Sequence, residues 1–84
     1  MEALYNLGIM YQDGQGVRQN YFKAAKLYRK ACNGNYYAAC NNLGTLYYYG
    51  QGVRQSKAKA KRLYGKTCDG GNNIGCENYA KLNR

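Results

Sequence analysis

Apolar side chains recur three and four residues apart along this chain, and this spacing places them on one face of an α-helix. The first such stripe consists of Ala3, Leu7 and Tyr11. Its counterpart 36 residues later consists of Ala39, Leu43 and Tyr47. The repeated stripe predicts two helices of the same kind, separated by a segment of different character.

A second kind of stripe alternates with the first. Its first copy consists of Ala24, Leu27, Tyr28 and Ala31. Its second copy consists of Ala60, Leu63, Tyr64 and Thr67. Together the stripes predict an all-α protein. We place its helices at about 2–12, 20–33, 37–48, 56–69 and 74–83.

Two segments recur intact at the offset of 36 residues. Asn6-Leu7-Gly8 returns as Asn42-Leu43-Gly44, and the segment Gly14-Gln15-Gly16-Val17-Arg18-Gln19 returns from Gly50 to Gln55. A period of roughly 20–50 residues is the signature of a stacked repeat array. We therefore predict a single domain, an α/α solenoid with repeats at 1–36 and 37–72 and a terminal capping helix at 73–84.

Glycines mark two further features of each repeat. Gly8 and Gly44 lie inside the first helices, where glycine costs about 1 kcal/mol relative to alanine, so we expect a neighbouring helix to approach closely there. Gly34 and Gly70 lie just past the second helices, where a left-handed C-cap residue belongs. The loop between the helices lacks the phosphate-binding glycine fingerprints, and we interpret it as a turn.

The chain is strongly basic, with 84 residues and a formal charge of +9. Such an excess favours acidic partners through long-range attraction. Most of the cations occupy the polar positions of the second helices, which indicates a solvated outer face. No nucleic-acid-binding motif accompanies them, so we disfavour nucleic acid as a partner. No apolar run is long enough to span a membrane, and Met1 begins a segment without signal-peptide features, as in a trimmed or mature chain.

The cysteines form two identically spaced pairs, C-x7-C. Cys32 lies in the last turn of one predicted helix and Cys40 in the first turn of the next, and Cys68 and Cys76 repeat this arrangement. A tight connection between antiparallel helices brings such turns together, so we predict the bridges Cys32–Cys40 and Cys68–Cys76. Pairing equivalent cysteines across repeats would have to span helices ~8–10 Å apart, farther than a disulfide reaches. Without histidine or a C-x2-C knuckle, we expect no metal and no cofactor.

The motifs Leu43-Gly44-x2-Tyr47 and Ala60-x3-Tyr64 follow the tetratricopeptide pattern. The 36-residue period, the G-x-G-V loop and the K-A-x2-L-Y-x-K helix resemble more closely the Sel-like repeat family. The C-x7-C pairs resemble its cysteine-rich bacterial branch, the Helicobacter cysteine-rich proteins. The resemblance implies a right-handed superhelix whose first helices line a concave groove. It also implies a secreted or periplasmic adaptor, monomeric in our expectation, that binds a protein or peptide.

The same branch carries a second implied function, penicillin binding or weak β-lactamase activity. Ser56-Lys57-Ala58-Lys59 matches the S-x-x-K motif of such enzymes. However, Ser56 occupies the position of Asn20 in the first repeat, and Asn and Ser are both good N-caps. The chain has no histidine and no closely spaced pair of acids, so we predict that it is not an enzyme.

The groove positions follow from the tetratricopeptide-like pattern of the first helices. They are Tyr5, Ile9, Gln12, Asn41, Asn42, Thr45, Tyr48, Glu77 and Lys81. The recurring Asn6, Asn42 and Asn78 either donate to a bound peptide backbone or tie adjacent helices together. Consecutive residues turn by ~100° on a helix, so Tyr47, Tyr48 and Tyr49 cannot share a face. We assign Tyr47 to the core and the other two to exposed or partly packed positions.

Overall fold

The computed structural model describes residues 1–82, and this part of the chain forms five α-helices without strands. The helices are Glu2–Asp13 (α1), Tyr21–Asn33 (α2), Tyr37–Tyr49 (α3), Lys57–Asp69 (α4) and Asn73–Leu82 (α5). The predicted all-α fold is confirmed, and the helix ends agree to about one residue. Residues 83 and 84, which we assigned to the terminal capping helix, lie outside the described residues.

Each helix packs against the next along the chain, which produces the predicted solenoid with extents of 37 × 23 × 17 Å. The core lies between the helices of the first repeat and α3. Its buried members are Ala24, Ala25, Tyr28, Ala31, Ala39, Leu43 and Leu46. Small alanines dominate this core, so the helices approach closely and a few large side chains fill the space between them.

The expected close approach at the helix glycines is present in both repeats. A Cβ atom on Gly8 would lie 2.6 Å from Cε1 of Tyr28. A Cβ atom on Gly44 would lie 3.0 Å from Cε1 of Tyr64. In each repeat a tyrosine ring of the second helix thus packs directly against the glycine of the first helix.

The loops after α1 and α3 close in the same way. Their left-handed C-cap residues are Gly14 and Gly50. The Gln19 side-chain amide donates to the Gln12 carbonyl at 2.8 Å, and Gln55 donates to the Tyr48 carbonyl at 2.9 Å. These bonds satisfy carbonyls that the helix ends leave without intrahelical partners.

Our assignment of Gly34 and Gly70 as left-handed C-caps is wrong. Their φ angles are −87° and −80°, and the positive φ angles occur one residue later, at Asn35 (66°) and Gly71 (91°). The amide of Gly34 still donates to the Lys30 and Ala31 carbonyls, so the last turn continues through it. The chain therefore reverses only at the following residue.

Both predicted disulfides are present. Cys32 bridges Cys40 with a Cα–Cα distance of 4.7 Å, and Cys68 bridges Cys76 with a distance of 4.4 Å. The first bridge joins α2 to α3 and the second joins α4 to α5. Each bridge therefore fastens one repeat to the first helix of the next.

Candidate functional site

A cleft of about 270 Å³ opens between α3 and α5. Its lining residues are Thr45, Tyr48, Tyr49, Tyr64, Asn78, Lys81 and Leu82. Residues of three helices line the cleft, because the Tyr64 side chain extends from α4 to the floor between α3 and α5. The cleft combines hydroxyl, amide and ammonium groups with two partly exposed aromatic rings.

Hydrogen-bonded hydroxyls form the floor of this cleft. The Thr45 hydroxyl donates to the Asn41 carbonyl at 3.2 Å, and Thr45 Oγ1 lies 2.9 Å from the Tyr64 hydroxyl. Because threonine has a single hydroxyl proton, Tyr64 acts as the donor in the second bond. Burial raises the pKa of Tyr64. The floor is therefore polar but neutral.

Three consecutive tyrosines at the end of α3 have different surroundings. Tyr49 is 62% exposed and its ring meets that of Tyr48 edge-on, with centroids 4.9 Å apart. Lys57 Nζ lies 5.7 Å from the Tyr48 ring centroid. Tyr47 packs against the core but is only half-buried, because its hydroxyl turns outward to accept a hydrogen bond from Arg29 Nη2 at 2.8 Å. Tyr47, which we assigned to the core, therefore packs at the edge of the core.

The asparagines of the first helices tie the solenoid together at this end. Asn78 Nδ2 donates to Asn41 Oδ1 at 3.0 Å, which joins α5 directly to α3. Of the two interpretations for the recurring asparagines, this bond favours the structural one for Asn78. The Asn41 side chain takes part in this bond through its oxygen.

The equivalent region of the first repeat has different chemistry. The Tyr28 hydroxyl donates to Gln12 Oε1 at 2.6 Å, and the Tyr5 ring packs at 5.1 Å from that of Tyr36. Burial raises the pKa of Tyr28 to about 12, against an opposing hydrogen bond from Asn42. Position for position, Ile9 and Gln12 correspond to Thr45 and Tyr48. The hydroxyl of the buried tyrosine is therefore hydrogen-bonded to a residue on a different turn of the first helix in each repeat.

The structure unites only some of the predicted groove residues in the cleft. Thr45, Tyr48 and Lys81 line it together, while Glu77 is exposed nearby on α5. The predicted residues outside the cleft lining are Tyr5, Ile9, Gln12, Asn41, Asn42 and Glu77. The lining residues missing from our predicted set are Tyr49, Tyr64, Asn78 and Leu82. The recurrence of asparagine every 36 residues pointed to Asn78, whereas nothing in the sequence indicated that the Tyr64 hydroxyl would reach this surface.

Ser56 serves as the N-cap of α4, and its hydroxyl accepts a hydrogen bond from the Lys59 amide at 3.1 Å. Asn20 caps α2 in the same way at 3.0 Å. The S-x-x-K match is therefore accounted for by helix capping. Within residues 1–82, no cluster of three or more His, Cys, Asp or Glu side chains could hold a metal ion. In the same range, no helix is long and apolar enough to cross a membrane.

Comparison with protein families places two Sel1 repeats in this chain, at residues 2–36 and 38–72. No curated protein matches the chain. Among solved structures, a Sel1 repeat protein from Oxalobacter formigenes is 27% identical with a TM-score of 0.94, over 96% of this chain and 33% of its own.

Two other solved structures are similar. The cysteine-rich protein B (HcpB) of Helicobacter pylori is 33% identical with a TM-score of 0.86, over 90% of this chain and 57% of its own. The protective antigen c5321 of uropathogenic Escherichia coli is 35% identical with a TM-score of 0.86, over 88% of this chain and 16% of its own. The chain thus spans little more than half the length of HcpB and less of the other two.

Proposed function

The chain belongs to the Sel1 repeat family, and from this premise we propose that it binds an extended segment of a partner protein along α1, α3 and α5. Sel1 repeats are protein-interaction modules, and the cleft between α3 and α5 is the centre of the proposed site. The groove extends from this cleft past Asn41 and Asn42 toward Tyr5, Ile9 and Gln12 on α1.

The observation that supports this proposal most directly is the pairing of rigid aromatic surface with hydrogen-bonding groups in one cleft. Tyr48 and Tyr49 offer ring surface, and Lys81 and Thr45 lie beside them. Tyrosine is enriched among residues that dominate binding energy, because it combines a large apolar ring with a hydroxyl. An extended segment also needs partners for its backbone amides and carbonyls, and the Lys81 ammonium and the hydroxyls of Tyr48 and Tyr49 are such groups in the cleft lining.

Charge favours an acidic segment over a basic one. The whole chain carries +9, and two of its cations lie at the cleft, Lys81 in the lining and Lys57 beside the Tyr48 ring. Glu77 is the exposed acid on α5. Such a field accelerates the encounter with negatively charged partners and rejects positively charged ones.

We place this function outside the cytoplasm, in a secreted or periplasmic protein. Two disulfides persist most readily in an oxidising compartment. The likeness to a cysteine-rich Helicobacter protein agrees with this location. Binding requires no second copy, so we expect a monomer.

The test uses the oxidised protein against a displayed library of random linear peptides. Selected peptides are then titrated against the parent, a Tyr48→Ala/Tyr49→Ala variant and a Phe22→Ala control. Phe22 is 59% exposed on α2, away from the cleft. We expect the double variant to lose at least about tenfold in affinity and the control to match the parent.

Acidic residues should be enriched among the selected peptides. Equal binding to the double variant and the parent would move the site away from the cleft and overturn the proposal. Circular dichroism of each variant shows whether the helices remain intact. The proposal does not extend to β-lactam binding, because Ser56 is engaged as a helix cap.

A further inference from the structure

A basic cleft runs between α2 and α4, the second helices of the two repeats. Two adjoining cavities of about 250 Å³ and 380 Å³ form it, and both are lined by Arg29, Tyr47 and Lys59. Each wall of the cleft belongs to a repeat that the structure describes. We call this cleft the basic seam, and its cations are Lys26, Arg29, Arg54, Lys59, Arg62 and Lys66.

The basic seam gathers positive charge without a compensating acid. Helix α2 contains four lysine or arginine residues and α4 contains five, and the one acid in these two helices is Asp69 at the end of α4. Among the described residues, none of those that line the seam is acidic. Clefts lined by charge of one sign raise the local concentration of ions of the opposite sign. The seam is therefore suited to an anionic ligand.

Three of the seam cations are held in place by uncharged groups. Arg29 Nη2 donates to the Tyr47 hydroxyl at 2.8 Å, and Lys59 Nζ lies 5.4 Å from the centroid of the Tyr47 ring. Lys66 Nζ donates to the Cys32 carbonyl at 3.3 Å. These contacts orient the cations without neutralising them, so an anion meets donors that are already ordered and binding costs less conformational entropy.

An exposed aromatic ring accompanies the seam cations. Phe22 is 59% exposed and lines the same cavity as Arg54, and Lys26 Nζ lies 5.1 Å from the centroid of its ring. Its counterpart 36 residues later is Ala58, so the repeat fold does not require an aromatic side chain at this position. Exposed apolar side chains beside lysine and arginine are typical of proteins that attach to anionic membrane surfaces.

The basic seam and the proposed peptide groove lie on opposite sides of α3. Leu43 lines the seam, whereas Thr45 lines the cleft at the centre of the groove. Consecutive helical residues turn by about 100°, so these two side chains leave α3 in nearly opposite directions. The groove cleft and the seam share no residue. A surface bound at the seam would therefore leave the groove open.

We propose that the basic seam docks the protein on an anionic phospholipid surface. The Phe22 ring enters the headgroup region of the lipid layer, and the seam cations pair with lipid phosphates. A sulfated polysaccharide could pair with the same cations, but it offers no apolar region for the ring. The ring thus favours the lipid surface. This inference does not rest on the proposed peptide-binding function.

The test measures co-sedimentation of the oxidised protein with vesicles of phosphatidylcholine, with and without phosphatidylglycerol. We expect binding to the vesicles that contain phosphatidylglycerol, and weaker binding at physiological salt than at low salt. Lys26→Gln/Arg62→Gln should weaken that binding by at least about tenfold. The control Asn73→Asp/Ala80→Glu lowers the net charge equally at exposed positions of α5, and it should bind within about twofold of the parent because salt screens distant charges.

The aromatic ring is tested separately, with heparin and single-stranded DNA as soluble polyanions. The chain contains no tryptophan, so Phe22→Trp reports the surroundings of this one position. We expect its fluorescence emission to shift to shorter wavelength on phosphatidylglycerol vesicles and to keep its wavelength with heparin. Phe22→Ala should weaken vesicle binding by about tenfold, because it removes the apolar surface that the lipid buries, and should leave heparin binding unchanged.

Three results would overturn the proposal. The first is absent binding to vesicles that contain phosphatidylglycerol. The second is vesicle binding that Lys26→Gln/Arg62→Gln or Phe22→Ala leaves at the level of the parent. The third is constant emission of Phe22→Trp on vesicles while heparin or single-stranded DNA binds, which would assign the seam to soluble polyanions. Circular dichroism spectra of the variants verify that the helices are retained.

Discussion

Gly8 and Tyr28 fix the distance between the first two helices, because the tyrosine ring occupies the space that a side chain on the glycine would need. A Cβ atom there would lie 2.6 Å from Cε1 and 2.8 Å from Cδ1 of a ring that is itself fully buried. The ring cannot move aside without displacing the core. Glycine at this position is therefore required by packing, although it lowers helix propensity.

We predict that Gly8→Ala destabilises the protein by about 1–3 kcal/mol, because overpacking outweighs the gain in helix propensity. The matched control is Gly65→Ala, also within a helix. There the nearest atoms are 3.2 Å away on the ring of Tyr79, which is 36% exposed and free to move. The control should be neutral or stabilising by up to about 1 kcal/mol. Urea unfolding measures both, and equal effects would contradict the packing argument.

Stability should fall at alkaline pH because of Tyr28. Its pKa is raised from 10.0 to about 12 in the folded state, mainly by burial. Below pH 10 the phenol is neutral in both states and the stabilisation is fully present. Between pH 10 and 12 the unfolded state loses this proton first, so the unfolding free energy falls by up to about 1.4 kcal/mol per pH unit.

The measurement is chemical unfolding at pH 9, 10 and 11, compared with Tyr28→Phe. The variant lacks this ionisation and should show a shallower decline, although it loses the hydrogen bond to Gln12 at all pH values. Parallel declines in the two proteins would exclude Tyr28 as the source. Lysines and the other tyrosines contribute equally to both curves, so the difference isolates one residue.

The Cys68–Cys76 bridge should be needed to hold α5 and therefore the cleft. A loop of this length stabilises by roughly 2.5 kcal/mol on the chain-entropy model. Replacing both cysteines with serine should raise amide exchange throughout α5 while α1–α3 remain protected, and should weaken peptide binding in the cleft. The matched variant removes Cys32 and Cys40, and it should loosen the contact between the repeats instead. An equal loss of amide protection in all helices of both variants would refute the separate roles of the two bridges.

Ser56 should be replaceable by asparagine but not by alanine. Ser56→Ala removes the acceptor for the Lys59 amide and should cost about 1 kcal/mol. Ser56→Asn should be close to neutral, because Asn20 makes the same bond to Lys23 in the first repeat. Thermal unfolding measures the stability of both variants. A loss of the same size for both variants would show that Ser56 matters for something other than capping.

The sequence by itself determined the helices, the repeat and the disulfide pairs. Apolar residues at i, i+4 spacing, capping residues and tight loops act within one or two turns of helix, so their effect can be recognised without knowing the neighbours. The C-x7-C spacing is equally local, because it spans a single helix connection. Because the sequence repeats every 36 residues, each prediction for the first repeat also applied to the second repeat.

Only the tertiary structure decided which surfaces are covered and which polar groups meet. Leu7 and Leu43 share their local sequence, yet their exposures are 37% and 3%, because only the second lies under α2. The Tyr64 hydroxyl reaches Thr45 while that of Tyr28 reaches Gln12, a choice made by the side chains on the facing helix. Burial depends on what packs against a residue from elsewhere in the chain, and the residue's own neighbours do not encode it.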